Sequence, residues 1–236
     1  MTLLKSGIMR QETDPRDLHP EVRRILNILK VVDSVGMDID GFLFDLDSVV
    51  VQKFNRIYGT NYTPDDITEW NSVRDLLIEQ GHSLEEAEYL QNEDYWDNPK
   101  VIKRAPLIRG ARELTLALLR TGKEIYPTTS RKPNLAEATN WQLRFWLGWI
   151  PEDNLRIRDD GDFDRHGFKA RTILSDRFGM FFENYPPHGE LILDTTDAHL
   201  VICPYRARFE QQYPKVASNP RVIKLPNLSM LGEAIF

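Results

Sequence analysis

The sequence predicts a doubly wound α/β fold, in which a parallel sheet carries helices on both faces, together with a small helical insertion. After Pro106, short apolar runs alternate with amphipathic segments, which is the pattern of parallel βαβ units. Residues 45–104 contain several helix starts and no strand pattern. The 236 residues, 41% of them apolar, are enough to build one large domain or two smaller ones.

The N-terminal part predicts an extension, a helix and the first strand. Residues 1–17 are polar and show no apolar period, so we expect a loosely ordered extension. From Pro20 onwards, apolar residues at positions 22, 25, 26 and 29 share one helical face that would pack on the core. Residues 34–38 are predicted as the first strand of the sheet.

Residues 45–104 are predicted as a helical cap over the end of that strand. The first helix would span residues 45–58, with Gly59 as its C-terminal cap. Further helix starts follow at the hydroxyl residues Thr63, Ser72 and Ser83. The chain is thereby divided into an extension of residues 1–17, a core of residues 18–44 and 105–236, and a cap of residues 45–104.

The rest of the core is predicted from segments in which the spacing of apolar residues is alternately typical of strands and of helices. Asn134 and Glu137 have the spacing of a capping box and open one of its helices. In that helix, Trp141, Phe145 and Trp149 recur at helical spacing and are predicted to face the core. We predict helices at 110–121, 134–149, 169–178 and 228–234, and strands at 124–128, 155–158, 190–193, 200–203 and 222–224.

Composition excludes several classes of protein. The formal net charge of −6 disfavours a protein that holds long nucleic acid by neutralising phosphates. The single cysteine, Cys203, excludes an internal disulfide and argues against a structural zinc site. No apolar run is long enough to span a bilayer and the first residues lack a signal-peptide core, so we expect a cytoplasmic protein without a membrane partner. The oligomeric state is left open, a homodimer included.

Polar residues follow several predicted strands in an order that suits phosphate chemistry. Asp38 and Asp40 leave the first strand, and Thr129, Ser130 and Arg131 follow the strand at 124–128. Lys169 opens a helix, and Asp194 and Asp197 follow the run at 190–193. Open α/β sheets bind ligands at the carboxyl ends of their strands, so these side chains are expected to converge.

These motifs resemble those of the haloacid dehalogenase (HAD) superfamily of phosphatases, and in detail its 5'(3')-deoxyribonucleotidase branch. Four segments carry the resemblance: the run from Asp38 to Asp45, the segment from Phe54 to Trp70, the segment from Ala105 to Ala111 and the strand end Thr129-Ser130-Arg131. It covers roughly residues 34 to 205. An ordered set of motifs is more specific than a lone acid pair.

The resemblance implies a HAD-like Rossmannoid core and a magnesium-dependent hydrolysis of nucleoside or deoxynucleoside monophosphates. Asp38 would be the nucleophile that forms an aspartyl-phosphate, and Asp40 would be the general acid and base. Thr129 and Lys169 would complete the catalytic set, and Gly41, Ser130 and Arg131 would contact the substrate. Mg²⁺ would be held by Asp38, the Asp40 carbonyl and Asp194, with Asp197 in its outer coordination sphere.

Several alternatives stay open at this point. A second pair of acids, Asp45 and Asp47, also follows an apolar segment, so the sequence leaves open which of the two pairs is the catalytic one. Thr195 stands where the last motif usually has an acid, so a weakened phosphate-binding or regulatory protein is a second reading. A sugar phosphate, another small phosphate or a polynucleotide 3'-phosphate would suit the same chemistry. Aromatic residues of the cap could stack on a base or only hold the cap together, namely Trp70, Tyr95 and Trp96.

Overall fold

A computed structural model describes residues 18–67, 69–159, 161–162, 164, 167–206 and 208–235. The predicted extension of residues 1–17 lies outside these residues. Within them, all pairings of the main sheet are parallel and its strand order is β3-β2-β1-β4-β5-β6. The strands are β1 (Ser34–Asp38), β2 (Glu124–Thr129), β3 (Arg156–Ile157), β4 (Met180–Glu183), β5 (His199–Ile202) and β6 (Val222–Lys224).

Helices connect the strands and form the insertion. In chain order they are α1 (Pro20–Leu29), α2 (Leu46–Tyr58), α3 (Ser72–Glu79), α4 (Leu84–Leu90), α5 (Pro99–Ile102), α6 (Ala111–Arg120), α7 (Ala136–Leu147), α8 (Phe168–Asp176), α9 (Pro186–Thr195), α10 (Arg208–Gln212), α11 (Pro214–Ser218) and α12 (Ser229–Ile235). None of the described helices is long and apolar enough to cross a membrane.

The sheet has a buried core on each face, which confirms the doubly wound prediction. Alternate strand residues point to opposite faces, so neighbouring positions enter different clusters. One cluster receives Met37, Phe182, Val201 and Ile223 together with residues of α1, α6, α7 and α12. The other receives Phe181, Leu200, Ile202 and Val222 together with residues of α8, α9, α10 and α11.

The strand order creates a switch point between β1 and β4. From β1 the chain builds β2 and β3 to one side, and it then returns to place β4 on the other side of β1. The loops that leave β1 and β4 therefore diverge, and ligands of open α/β sheets bind in the crevice this produces. Asp38 ends β1 and Glu183 ends β4, so both carboxylates stand at the crevice.

The insertion between β1 and β2 contains α2 to α5 and a π-helix at Gln91–Trp96. Asp45 caps α2 by accepting a hydrogen bond from the Ser48 amide at 3.1 Å, and Gly59 ends α2 in the left-handed conformation. Where the chain returns to the core, Asp45 N donates to Pro106 O and Ile108 N donates to Leu43 O, each at 2.9 Å. These backbone hydrogen bonds join the two segments through which the chain leaves and re-enters the core.

One predicted strand is wrong. Residues 190–193 belong to helix α9, because Pro186 and Pro187 fix the backbone of its first turn. Its buried residues follow a helical spacing, with Gly189, Ile192 and Leu193 facing the core. The strand that completes the sheet is instead β4, whose four residues are all buried, as expected for a strand covered on both faces.

Two smaller expectations also fail. Asn134 does not cap a helix, since Pro133–Leu135 forms a 3-10 turn and α7 starts at Ala136. Trp149 packs against the core as predicted, but Trp141 and Phe145 are 42% and 64% exposed. The rings of these two residues stack on each other with centroids 5.2 Å apart. The other predicted helices and strands of the core are present with ends shifted by a few residues.

Candidate active site

A cavity of about 540 Å³ opens at the carboxyl ends of β1, β2 and β4. Among its lining residues are Asp38 and Asp40 from the end of β1, Thr129 from β2 and Lys169 from α8. Residues of the insertion and of the segment after β5 complete the wall, including Trp70, Trp96, Arg206 and Arg208. The residues predicted from β1, β2 and α8 therefore share one cavity.

A buried ionic cluster forms the floor of the cavity. Lys169 Nζ lies 2.8 Å from Asp38 Oδ1 and donates to Glu183 Oε2, also at 2.8 Å. Glu183 Oε1 accepts hydrogen bonds from the backbone amides of Asn184 and Tyr185, each at 3.1 Å. Glu183 is fully buried, and the side chains of Asp38 and Lys169 are 7% and 3% exposed. Glu183 thus fixes both the lysine and the loop that leaves β4.

The burial and the charges of this cluster shift the pKa values of Asp38 and Lys169. Burial first, and then the neighbouring Glu183 carboxylate, raise the pKa of Asp38 well above its ordinary value, against the opposing effect of Lys169. Burial lowers the pKa of Lys169, but Asp38 and Glu183 outweigh it and the pKa is raised. One ammonium between two carboxylates leaves a net negative charge in a buried site, and this environment disfavours the charged form of Asp38.

Asp40 is held by a buried arginine. Arg131 Nε donates to Asp40 Oδ2 at 2.9 Å, and Nη2 donates to the other oxygen, so the contact is bidentate. The Asp40 side chain is 31% exposed toward the cavity, whereas that of Arg131 is 4% exposed. This carboxylate therefore has one fixed edge and access to the cavity.

The structure distinguishes between the two acid pairs. Asp38 stands at the end of β1, whereas Asp45 is the N-cap of α2 and receives hydrogen bonds from the amide and hydroxyl of Ser48. Asp47 does line the cavity, and burial, followed by Asp45 and Asp40, raises its pKa to about 7. The carboxylate in contact with Lys169 is thus Asp38.

The turn after β1 depends on Gly41. Its φ is +76°, a conformation that a side chain disfavours, and a Cβ there would lie 1.9 Å from Asn184 Nδ2. Asn184 follows Glu183 and lines the same cavity, and its Oδ1 is buried without a hydrogen-bond partner. Thr129 and Ser130 are both buried at the cavity wall, and Thr129 Oγ1 accepts from the Arg131 amide at 3.2 Å.

Asp194 and Asp197 are not in this cavity. Asp194 lies at the end of α9, Asp197 follows in the loop before β5, and both are exposed. Their prediction as metal ligands followed from the wrong strand at 190–193. The end of β4 carries Glu183, and Asn184 follows it. The sequence analysis missed both residues, although the apolar run at 180–182 between Gly179 and two prolines is apparent in the sequence.

The insertion contributes an aromatic wall and an ionic contact. Trp70 and Trp96 stack with ring centroids 5.3 Å apart, and both line the cavity, whereas Tyr95 is buried inside the insertion. Lys132, which follows the Thr129-Ser130-Arg131 segment, lies 2.9 Å from Asp97 Oδ2 and 3.1 Å from Glu93 Oε1. The insertion is thereby fastened to the loop after β2.

The donor set near Asp38 fits a hard divalent cation. Among the described residues no group of three or more His, Cys, Asp or Glu side chains is placed to hold a metal ion. Mg²⁺, however, prefers oxygen ligands, keeps several waters and needs only one or two carboxylates. Asp38, the Asp40 carbonyl and the unpartnered Asn184 Oδ1 supply such oxygens around one cavity.

Comparisons with known proteins establish the fold. No family model and no curated protein matches the chain. A HAD family hydrolase from Deinococcus radiodurans with bound phosphate and sodium has a similar structure, with a TM-score of 0.55 and 15% identity over 82% of this chain and 91% of that one. The chain therefore shares the α/β fold of this hydrolase.

Two further solved structures are similar over most of their length. Protein Tyrosine Kinase A of Mycobacterium tuberculosis gives a TM-score of 0.59 and 19% identity, covering 86% of this chain and 98% of the other. A variant of CbbY from Rhodobacter sphaeroides in complex with xylulose-(1,5)bisphosphate gives 0.54 and 10%, covering 84% and 96%. At these identities the likeness concerns the fold, so the chemistry must be argued from the cavity.

Proposed function

We propose that this protein is a phosphomonoesterase that works through an aspartyl-phosphate on Asp38. The observation that carries the proposal is the placement of Asp38 at the tip of β1, 2.8 Å from Lys169 and two residues before Asp40, at the switch point of the sheet. A nucleophile, a second acid and a cation are the groups that phosphoryl transfer requires.

The proposed reaction has two steps. An Asp38 carboxylate oxygen attacks the phosphorus while Asp40 gives a proton to the leaving oxygen of the ester. A water molecule, from which Asp40 takes the proton back, then attacks the same phosphorus and releases phosphate and free Asp38. Lys169 balances charge on the transferring oxygens, and the Thr129 and Ser130 hydroxyls donate hydrogen bonds to them. Glu183 holds Lys169 in place for this role.

A divalent cation fits this chemistry. Asp38, the carbonyl of Asp40 and the Asn184 side chain would hold Mg²⁺, and Glu183 would support them through Lys169 and the loop after β4. When bound, the cation supplies the positive charge that lets a buried carboxylate approach a phosphate dianion.

We further propose a nucleoside or deoxynucleoside monophosphate as the substrate. The motifs that resemble the deoxyribonucleotidase branch support this class. The stacked Trp70 and Trp96 support it as well, because they offer an apolar, aromatic wall to a leaving group in the cavity. Sugar phosphates and other small phosphomonoesters are the competing class.

Turnover of p-nitrophenyl phosphate with and without Mg²⁺ tests the proposed chemistry. We expect turnover that a chelator abolishes, and we expect Asp38→Asn to remove it while circular dichroism and urea unfolding show a folded protein. Asp153→Asn changes an exposed acid in the 3-10 turn Glu152–Asn154, which is not among the residues that line the cavity. It is the matched control and should retain full activity. An Asp38→Asn variant with wild-type turnover would overturn the proposal.

A panel of phosphomonoesters tests the substrate class. We expect higher kcat/KM for nucleoside 5'- or 3'-monophosphates than for sugar phosphates, and a selective loss for nucleotides in Trp96→Leu. Equal values for both classes in the wild type would remove the nucleotide proposal and leave the phosphatase proposal standing.

A further inference from the structure

Arg131 has its full hydrogen-bonding capacity engaged inside the protein. A guanidinium carries five N–H donors. Nε and Nη2 donate to the two oxygens of Asp40, Nη1 donates to Thr139 Oγ1 at 2.9 Å, and Nη1 and Nη2 both donate to Gln142 Oε1 at 3.3 Å. These contacts account for all five donors, so none is left for a phosphate or a sugar.

The two residues behind Arg131 are themselves fixed. Thr139 and Gln142 lie on successive turns of α7 and are fully buried. Thr139 Oγ1 donates to Leu135 O at 2.9 Å. Gln142 Nε2 donates to the carbonyls of Ile102 and Ala105 at 2.9 and 3.2 Å, where the chain returns from the insertion to the core. The Gln142 amide therefore presents its oxygen to Arg131 and cannot turn without breaking both bonds.

We propose that Arg131 is a positioning residue for Asp40, held by Gln142 and Thr139, and not the substrate ligand that the sequence predicted. The inference rests on the proposed function, in which Asp40 transfers the proton of the leaving oxygen. A bidentate arginine fixes both the place and the plane of the carboxylate that it binds. Each Asp40 oxygen keeps a second lone pair beside its bond to Arg131, and the side chain is 31% exposed, so one of these oxygens can carry the proton for the leaving group.

The role predicts a dependence on the leaving group. An alkoxide leaving group needs the proton that Asp40 delivers, whereas a p-nitrophenolate leaves without it. Loss of the positioning residue should therefore reduce kcat/KM for alkyl phosphates much more than for aryl phosphates. The parameter kcat/KM reports only the steps up to the first irreversible one, which is the transfer of the phosphoryl group to Asp38. It is therefore insensitive to the later attack of water, in which Asp40 acts in the same way for every substrate.

The test uses Arg131→Lys, which keeps the charge and removes the bidentate geometry. In the presence of Mg²⁺, we expect kcat/KM of Arg131→Lys for an alkyl phosphate to be about 100-fold below that of the wild type. This is the cost of a misplaced catalytic group. We expect the value for p-nitrophenyl phosphate to change less than about 3-fold, and the inhibition constant of inorganic phosphate to change less than about 2-fold. Equal losses on both substrates, or a tenfold weaker inhibition by phosphate, would show a substrate ligand and overturn the inference.

A second variant keeps the test valid if Arg131→Lys does not fold. Gln142→Met leaves the Arg131–Asp40 contacts in place and removes their support, so it should show the same substrate pattern with a smaller loss of about tenfold. Arg144→Gln, on the same helix and exposed, is the control and should match the wild type on both substrates. A wild type that turns over neither substrate would refute the proposed function and the inference with it, whereas unselective losses would refute the inference alone.

Discussion

Asp47 should make the protein less stable as the pH rises, and Asp47→Asn should remove that effect. The side chain is half-buried at the cavity wall, where Asp45 and Asp40 repel its charge and Arg206 attracts it. Burial first, and then the two acids, raise its pKa from 3.8 to about 7, against the opposing effect of Arg206. The folded state therefore binds the Asp47 proton more tightly than the unfolded chain does, and ionisation of Asp47 opposes folding.

The magnitude follows from the pKa difference. One pKa unit is worth about 1.4 kcal/mol, so the full difference corresponds to about 4 kcal/mol. Because Asp47 is only half-buried and borders an open cavity, we reduce the expected cost to about 2 kcal/mol. The sign is fixed by linkage: the cost is absent below about pH 4, grows as the pH rises toward 7 and is constant above that.

Urea unfolding of the wild type and Asp47→Asn between pH 4.5 and 8.5 measures this cost. We expect the variant to be more stable by about 2 kcal/mol at pH 8.5 and by less than about 1 kcal/mol at pH 4.5. Asp75→Asn, which changes an exposed acid of the insertion, should show no such trend. A variant that is destabilised at pH 8.5, or a difference that does not vary with pH, would refute the reasoning.

Three further predictions concern the frame of the cavity. Glu183→Leu leaves a buried ammonium with one partner fewer and two amides unpaired, so urea unfolding should show a loss of about 3 to 5 kcal/mol. Lys132→Met removes the contact with the buried Asp97 and should cost about 1 kcal/mol, with faster proteolysis of residues 91–102 while the core stays protected. Gly41→Ala should lose about 1 to 2 kcal/mol and most activity, whereas Gly59→Ala, which also has positive φ but no atom within 4 Å of an added Cβ, should lose stability alone.

Much of the core could be predicted because local signals agree with the tertiary structure. The segment Ser34–Asp38 is short, apolar and followed by a glycine turn, and the structure ends β1 at the residue expected. Gly59 ends α2 in the left-handed conformation that its position predicted. Where the capping residue, the spacing of apolar residues and the turn residues all favour the same element, the sequence specifies that element reliably.

The errors arose where one local pattern suits two structures. The run at 190–193 and β4 are both short and apolar, and periodicity alone does not separate a buried strand from a helix segment. The prolines at 186 and 187 decided the matter, since they start a helix readily and cannot belong to a central strand. The misplaced strand carried Asp194 and Asp197 with it, and Glu183 was overlooked as a result.

The network around Arg131 lies beyond prediction from sequence for a different reason. Arg131 and Asp40 are 91 positions apart, and Gln142 reaches the Ile102 carbonyl across 40 positions. Contacts of this kind depend on the packed positions of α7, β1 and the insertion together. A residue type alone shows that an arginine can bind an anion; only the fold shows that the anion is a carboxylate of the protein.

The central claim is that Asp38 accepts the phosphoryl group. Borohydride added during turnover reduces an aspartyl-phosphate to homoserine, and peptide mass spectrometry then locates the reduced position. We predict reduction at position 38 that depends on both substrate and Mg²⁺, with Asp45 and Asp47 unmodified. Substrate-dependent reduction at Asp45 or Asp47, or steady turnover with position 38 always intact, would contradict the account.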